Sequence, residues 1–448
     1  GELGKEKPGI MMNNKWYDLS LGTLVDITGA TVPTSNDWNT ALYWDTLYAC
    51  NGVDTAQFYD GGATFQNLTF TGVTLSTLVN VSSYKQRLYF VKVDSTEIWY
   101  GGTDIRGTTA APALTKFDPG SYLRKGGFIV FSGSFTDRLS STSDDLFMIC
   151  SSEGELLFYS GSSAADAAWK LVANYIIGKP MGYRAFVRVE NDVWIITERG
   201  IVPVSMLFSG GTNVALNSVG RKINKRISDY ATQVGFDHLW SGVFWPRGRR
   251  AYIIVPQPVT ASYTTSPLVC NIETGAWFPY DYEEDGIVLG LTEYEGFLMS
   301  GAKNGFVYIH EAGLGYPIGS GAQNDDGGPI ISSFKGAYSF YGSRGNYKTF
   351  KDIRPLMYTK RGISLSAGVD TDFKDSSVTS TITITSGVTT PTGSPSGTLP
   401  GADYEYLFDR YSLTGQGHSA SLKIETSLTD VSIDFSAFEV RFEKGAQV

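Results

Sequence analysis

The chain has 448 residues, of which 42% are apolar and 18% charged, with a net charge of −9 and a pI near 5.0. Its 51 glycines, 26 tyrosines, 25 phenylalanines and 9 tryptophans, set against few charges, exclude a disordered polyelectrolyte. The acidic balance excludes a cationic envelope for wrapping nucleic acid, and no apolar run reaches the ~18–20 residues that a membrane-spanning helix needs.

The first forty residues, beginning GELGKEKPGIMMNNKWYDLS, show no apolar segment of the secretory-signal type and read as an N-terminal arm. A hairpin-like unit then recurs: an apolar strand, a short polar turn and a second strand ending in aromatics. It appears as TLYACNGVDTAQFYDGG (46–62), QRLYFVKVDSTEIWYGG (86–102) and DLFMICSSEGELLFYSG (145–161). It returns as DVWIITERGIVPVSMLF (192–208), as RAYIIVPQ and LVCNIETGAWFPY joined by a long turn (250–280), and as EGFLMSGAKNGFVYIHE (295–311). The leading apolar residues Leu47, Leu88, Leu146, Val193, Tyr252 and Phe297 are 41 to 59 residues apart. That is the range of a four-stranded propeller blade. The runs LYFV, LFMI and VWII fit strands covered on both faces by neighbouring blades. Glu153-Gly154, Arg199-Gly200 and Asn304-Gly305 fit tight hairpin turns. Separate β-sandwiches would also give short strands, but six like units in succession favour a six-bladed propeller over residues 41–318. Within it, AADAAWKLVANYIIG (164–178) reads as a loop and a strand. NKRISDYATQVG (224–235) reads as a short helix with Ile227, Tyr230, Ala231 and Val234 on one face.

Past residue 318 the pattern changes. GSGAQNDDGGPI (319–330) is a polar, Gly-rich linker. Period-2 strands follow at 362–370, 421–428 and 438–445, with a further TITIT strand inside the uncharged stretch 376–401. Residues 331–448 are expected to form a C-terminal β-sandwich-like platform domain, to which the N-terminal arm adds unless it joins the first blade. The fold class is all-β.

The net charge is local. Residues 1–250 and 331–448 are each balanced, while 251–330 hold ten acids and the single base Lys303. The acids cluster at Asp281, Glu283, Glu284, Asp285, Glu293 and Glu295. Basic residues gather in GRKINKR (Arg221, Lys222, Lys225, Arg226), in RGRR (Arg247, Arg249, Arg250) and in SRGNYKTFKDIRP (Lys348, Lys351). They are candidates for contact with DNA phosphates or a neighbouring subunit, the plainer alternative being solvated loops.

Chemistry is sparse. His238, His310 and His418 form no paired ligand spacing, and Cys50, Cys150 and Cys270 are too few and too far apart for a disulfide framework or a zinc cluster. No nucleophile elbow, phosphate loop or dinucleotide fingerprint is present. The adjacent acids Asp144/Asp145, Glu283/Glu284/Asp285 and Asp325/Asp326 read as solvated turns rather than a glycosidase pair. Asp370, Asp372 and Asp375 lack the downstream Glu of a calcium loop. The sequence nominates no catalytic residue, no metal and no cofactor.

The order of these segments resembles the tail hub or nozzle proteins of short-tailed bacteriophages, also called packaged-DNA stabilisation proteins. The matching pieces are Arg87-Leu88-Tyr89-Phe90, Gly126-Gly127, Ser152-Glu153-Gly154, Gly178-Lys179-Pro180, Thr197-Glu198-Arg199-Gly200, Thr274-Gly275-Ala276-Trp277, FKDIRPLM and the closing Glu443-Lys444-Gly445. They cover most of residues 40–448 and are turn-and-strand signatures, not catalytic ones. The resemblance implies a non-enzymatic virion protein, assembled in the host cytoplasm. It implies a propeller on a β-rich platform, six copies of which form a ring below the portal and head–tail adaptor. Tail fibres or spikes attach around such a ring, a plug closes its tip, and double-stranded DNA passes through. On that reading part of the 281–295 acidic cluster lines the channel, where like charge keeps DNA off the wall. A glycan- or receptor-binding propeller, and a cellular scaffold propeller, remain the alternatives.

Overall fold

The computed structural model describes residues 9–19, 24–106, 111–137, 144–208, 219–259, 262–280, 288–294, 296–302, 307–310, 329–360, 363–374, 380–383, 404–407, 410–428 and 433–447. The chain divides into two compact units, 1–310 and 311–448.

The first unit opens with a three-stranded sheet, β1 (Gly9–Met12), β2 (Lys15–Asp18) and β3 (Val25–Asp26). Six antiparallel meanders follow, each with strands in sequence order. Blade 1 is β4 (Asn39–Tyr43), β5 (Thr46–Cys50), β6 (Gln57–Tyr59) and β7 (Gln66–Asn67); blade 2 is β8 (Leu78–Tyr84), β9 (Arg87–Lys92), β10 (Ile98–Tyr100) and β11 (Thr115–Phe117). Blade 3 is β12 (Ile129–Asp137), β13 (Asp144–Ser151), β14 (Glu155–Ser160) and β15 (Lys170–Ile176). Blade 4 has three strands, β16 (Phe186–Val189), β17 (Asp192–Thr197) and β18 (Gly200–Pro203), followed by a single turn α1 (Ser205–Phe208) and by α2 (Asn224–Val234). Blade 5 is β19 (Ser241–Trp245), β20 (Arg250–Val259), β21 (Ser262–Asn271) and β22 (Ala276–Pro279). Blade 6 is β23 (Val288–Tyr294), β24 (Phe297–Ala302) and β25 (Val307–His310).

The first strands of the blades line the middle: β4, β8 and β12 are successive neighbours, β12 touches β17, and β16, β19 and β23 continue the series. This is a six-bladed β-propeller. The long turn expected in blade 5 is instead a continuation of the hairpin, with register held from Arg250↔Asn271 to Val259↔Ser262.

Why these sequences make blades is visible in their burial. All six residues of β14 are buried, as are the middle four of β9 and the last five of β17. A strand covered on both faces has no polar face to offer, so its sequence is a continuous apolar run. The outer strand β15 has solvent on one side and alternates accordingly.

Aromatic rings fill the layers between blades. Tyr89 of blade 2 meets Phe147 of blade 3 at 4.3 Å between centroids, and Phe117 of blade 2 meets Tyr159 of blade 3 edge-on at 5.3 Å. Such pairs add about 0.5–1.5 kcal/mol each beyond the area they bury. The N-terminal sheet packs on blade 1, where Trp16 stacks on Phe65 at 4.2 Å and its Nε1 donates to Gln57 Oε1. In blade 4, α2 lies against β18 and β20 and buries Ile227 and Ala231 beside Trp194 and Ile253. The three cysteines are free and buried; Cys50 and Cys150 sit near the ends of the second strands of blades 1 and 3, and Cys270 near the end of the third strand of blade 5. Each is followed by a residue whose side chain caps the next turn: Asn51 accepts from the Val53 and Asp54 amides, Ser151 from Glu155, and Asn271 from Glu273 and Thr274.

Blades 3 and 4 interlock through three segments distant in sequence. The Ile177 amide donates to Gly154 O, the Glu198 amide donates to Lys179 O, and Lys179 Nζ lies 2.9 Å from Glu153. Gly154 has φ +77°, and a Cβ on it would stand 2.2 Å from the Gly178 carbonyl oxygen. The next residue, Glu155, is buried, which by itself would raise its carboxyl pKa. Backbone amides of Arg124 and Lys125 and the Asn174 side chain donate to it and hold it below the ordinary value.

The second unit is a two-sheet sandwich. One sheet is β26 (Ile330–Lys335), β32 (Ala420–Leu428), β28 (Ser364–Thr371) and β29 (Ser380–Thr383), in that order. The other is built on β27 (Asn346–Lys360), which pairs along one edge with β31 (Tyr411–Gly417) and β30 (Tyr404–Leu407) and along the other with β33 (Asp434–Gln447). Ile353, Met357, Leu365, Ala367, Leu413, Leu422 and Ile424 form its core. The expected linker falls outside the described residues as far as 328, and a strand has begun by Ile330.

Gly154→Ala is expected to destabilise the propeller by more than about 1 kcal/mol, because both the positive φ and the Gly178 backbone oppose a Cβ. Urea unfolding followed by tryptophan fluorescence measures this.

Candidate functional site

The residues that precede the inner strands converge at one end of the propeller axis. Asn39 Nδ2 donates to Val79 O, Asn80 Nδ2 to Tyr183 O, and Arg184 donates twice to His238 O at 2.7 and 3.1 Å. His238 Nε2 lies 4.0 Å from Asp37, and Phe236 meets both Phe128 and Tyr183 edge-on. Burial lowers the Arg184 guanidinium pKa, and the carboxylates of Asp37 and Asp237 oppose that shift. Blades 1 to 5 therefore meet across the axis at this end. Contacts between non-adjacent blades, 2 with 4, 1 with 5 and 3 with 5, narrow the axis at this end. Sequence reasoning singled out His238 alone among these residues. The signal was positional: Asp37, Arg184 and His238 stand just ahead of a blade's first strand, and Asn39 and Asn80 near the start of one.

The basic candidates border blade 5. Arg221 and Lys222 are exposed ahead of α2, and Trp277 Nε1 donates to the Val219 carbonyl two residues earlier. On α2, Lys225 pairs with Asp229 and Arg226 lies over the Tyr230 ring. Arg247 is exposed on the β19–β20 turn, Arg249 reaches Glu190 and Glu273, and Arg250 sits over Phe278. Several are thus held by local partners. In the second unit Lys351 pairs with Glu443 and remains half exposed.

Lys348 corrects the expectation of a contact residue. It is fully buried, and its ammonium donates to the carbonyls of Ser343, Asn346 and His418. It ties the start of β27 to the β31–β32 turn.

Of the acidic cluster, Asp281, Glu283, Glu284, Asp285 and Glu295 lie outside the described residues. Glu293 is exposed on β23 and accepts from the Gly296 amide. Among the described residues no group of three or more His, Cys, Asp or Glu is placed to hold a metal ion. Asp370 pairs with Lys335, and Asp372 accepts from the His418 and Ser419 amides. His310 Nε2 lies 2.6 Å from Ser300 Oγ, but both are buried within blade 6, and burial pushes the imidazole down to about 4.

No family model matches the chain. Over 143 residues, 31% of its length, it is 29% identical to the non-reducing polyketide synthase ausA of Emericella nidulans, and it spans 6% of that protein. Among solved structures it is similar to YCF48 bound to D1 peptide (12% identity, 62% of this chain and 82% of that one, TM-score 0.38). It is similar to a streptogramin B lyase (11%, 69% and 91%, TM-score 0.44) and to BBS1N in complex with ARL6DN (10%, 68% and 87%, TM-score 0.40). At these values the likenesses carry no argument about activity, and the propeller assignment rests on the blades themselves.

Two outcomes are expected. Lys348→Met takes the lysine donor from three partly buried carbonyls and lowers the stability of the C-terminal unit by about 2–4 kcal/mol, read by chemical denaturation. His310 takes up a proton only below about 4 when folded, against 6.5 for an ordinary histidine. The unfolded chain therefore binds more protons in between. Blade 6 keeps its full stability above pH 6.5 and loses on the order of 2–3 kcal/mol as the pH falls to 4. Hydrogen exchange of the β24–β25 amides measures this slope, which His310→Asn removes.

Proposed function

We propose that this chain is a structural, non-enzymatic subunit of a short bacteriophage tail, forming a ring below the portal and adaptor. The ring acts as nozzle for DNA ejection and helps retain the packaged genome. The observation that carries the reading is the blade 3–4 interlock. Ser152-Glu153-Gly154, Gly178-Lys179-Pro180 and Thr197-Glu198-Arg199-Gly200, three of the segments in which the sequence resembles tail hub proteins, meet there. Residues that touch across blades are constrained together, which gives the shared segments a common physical reason.

The narrowing of the axis by contacts between non-adjacent blades favours a conduit outside the single propeller. DNA does not pass through a single propeller; the conduit lies between copies. On this proposal part of the acidic stretch 281–295 lines the lumen, Glu293 being its one acid within the described residues and exposed there, and a ring multiplies each inward charge by its copy number. The exposed Arg221 and Lys222 are offered for contacts with neighbouring subunits or the adaptor.

Light scattering and negative-stain class averages of the purified chain, alone and with its cognate portal–adaptor assembly, test this. Closed rings with a hole wide enough for a DNA duplex, in either sample, are expected. A chain that stays monomeric in both samples overturns the proposal.

A further inference from the structure

A cleft of about 370 Å³ opens where the β4–β5, β8–β9 and β12–β13 ends of blades 1 to 3 come together. Leu42, Trp44, Ser83, Lys85, Gln86 and Asp145 line it. Its floor is rigid: the Tyr84 hydroxyl lies 2.7 Å from Asp145 O and 2.8 Å from Gly161 O, tying blade 2 to blade 3. Tyr43 OH donates to Gln86 O and accepts from the Asp104 amide, tying blade 1 to blade 2.

Trp44 does not fit a purely structural account. It occupies the first central position of a two-residue hairpin turn, with φ +47°, and Asp45 follows at +54°. Asn, Asp and Gly take this conformation readily, whereas a bulky aromatic takes it at a cost. The indole gains little burial in return, being 48% exposed, and Leu42 beside it is 60% exposed. Strain held at an exposed aromatic within a cleft is the pattern of a binding residue. The ring is also braced: the Arg106 guanidinium lies over it at 5.6 Å, and Tyr43 meets it edge-on at 6.2 Å.

We propose that this cleft binds a saccharide, with Trp44 as the stacking platform. A pyranose has a face of C–H groups and a rim of hydroxyls. The indole suits the face. The Ser83 hydroxyl, Gln86 amide, Lys85 ammonium and Asp145 carboxylate supply donors and acceptors for the rim. An unfunctionalised lipid or an apolar peptide would offer these polar groups no hydrogen-bonding partner of its own. The proposal does not depend on the ring, because the site lies within one propeller.

The test is an array of bacterial surface polysaccharides probed with the whole chain, then calorimetric titration of any ligand found. The native chain is expected to bind. Trp44→Asn is expected to lose at least tenfold in affinity while its thermal midpoint holds or rises, since the turn strain is relieved. Trp44→Phe keeps a smaller platform and part of the affinity. The proposal is overturned if the native chain binds nothing on the array. It is equally overturned if Trp44→Asn binds as well as the native chain. Failure here leaves ring formation untouched, and failure to form rings leaves this binding untouched.

Discussion

A strand covered on both faces is the constraint from which the first unit follows. Such a strand cannot be stable within one blade, because a sheet standing alone leaves both of its apolar faces in water. β9, β13, β14 and β17 carry the buried apolar runs LYFV, LFMIC, LLFY and VWII, so each blade requires the next, and the requirement propagates around the axis. Aromatic rings are the economical filler for these layers. They are large, they tolerate the changing spacing between twisted sheets, and the edge-on and tilted pairs of Tyr84, Tyr89, Phe147 and Trp169 show that tolerance at one junction. The polar links between blades, such as Asn80 to Tyr183 and Lys179 to Glu153, add direction to a packing force that has none.

The same logic explains what was legible in the sequence. The apolar runs starting at Leu47, Leu88, Leu146 and Val193 announce strands because their periodicity is lost in a specific way: both faces are buried. The short helix at 224–235 announces itself through Ile227 and Ala231. The change of regime past 318 is legible because the sandwich has one wet face per sheet, so alternation returns, as in β32.

Other features leave no local mark. Lys348 looks like its basic neighbours Lys351 and Arg354, and only the meeting of the 343–346 loop with His418 makes it a buried cation. The axial cluster of Asp37, Arg184 and His238 joins three blades, and no window of sequence contains even two of them. Trp44 is one of many aromatics until its φ is known. Propensity and pattern report what a residue does with its chain neighbours, and these residues act through space.

The three cysteines carry a different kind of consequence. Blades 1, 3 and 5 hold one buried thiol each, with no disulfide between them. Burial raises the pKa of all three, Cys270 to about 11, so an intact blade is inert to thiol reagents. A blade that opens exposes its own thiol and no other. Labelling rates resolved by peptide would therefore read the propeller as a set of three independent clocks. They would report in what order its sectors loosen, without any engineered probe.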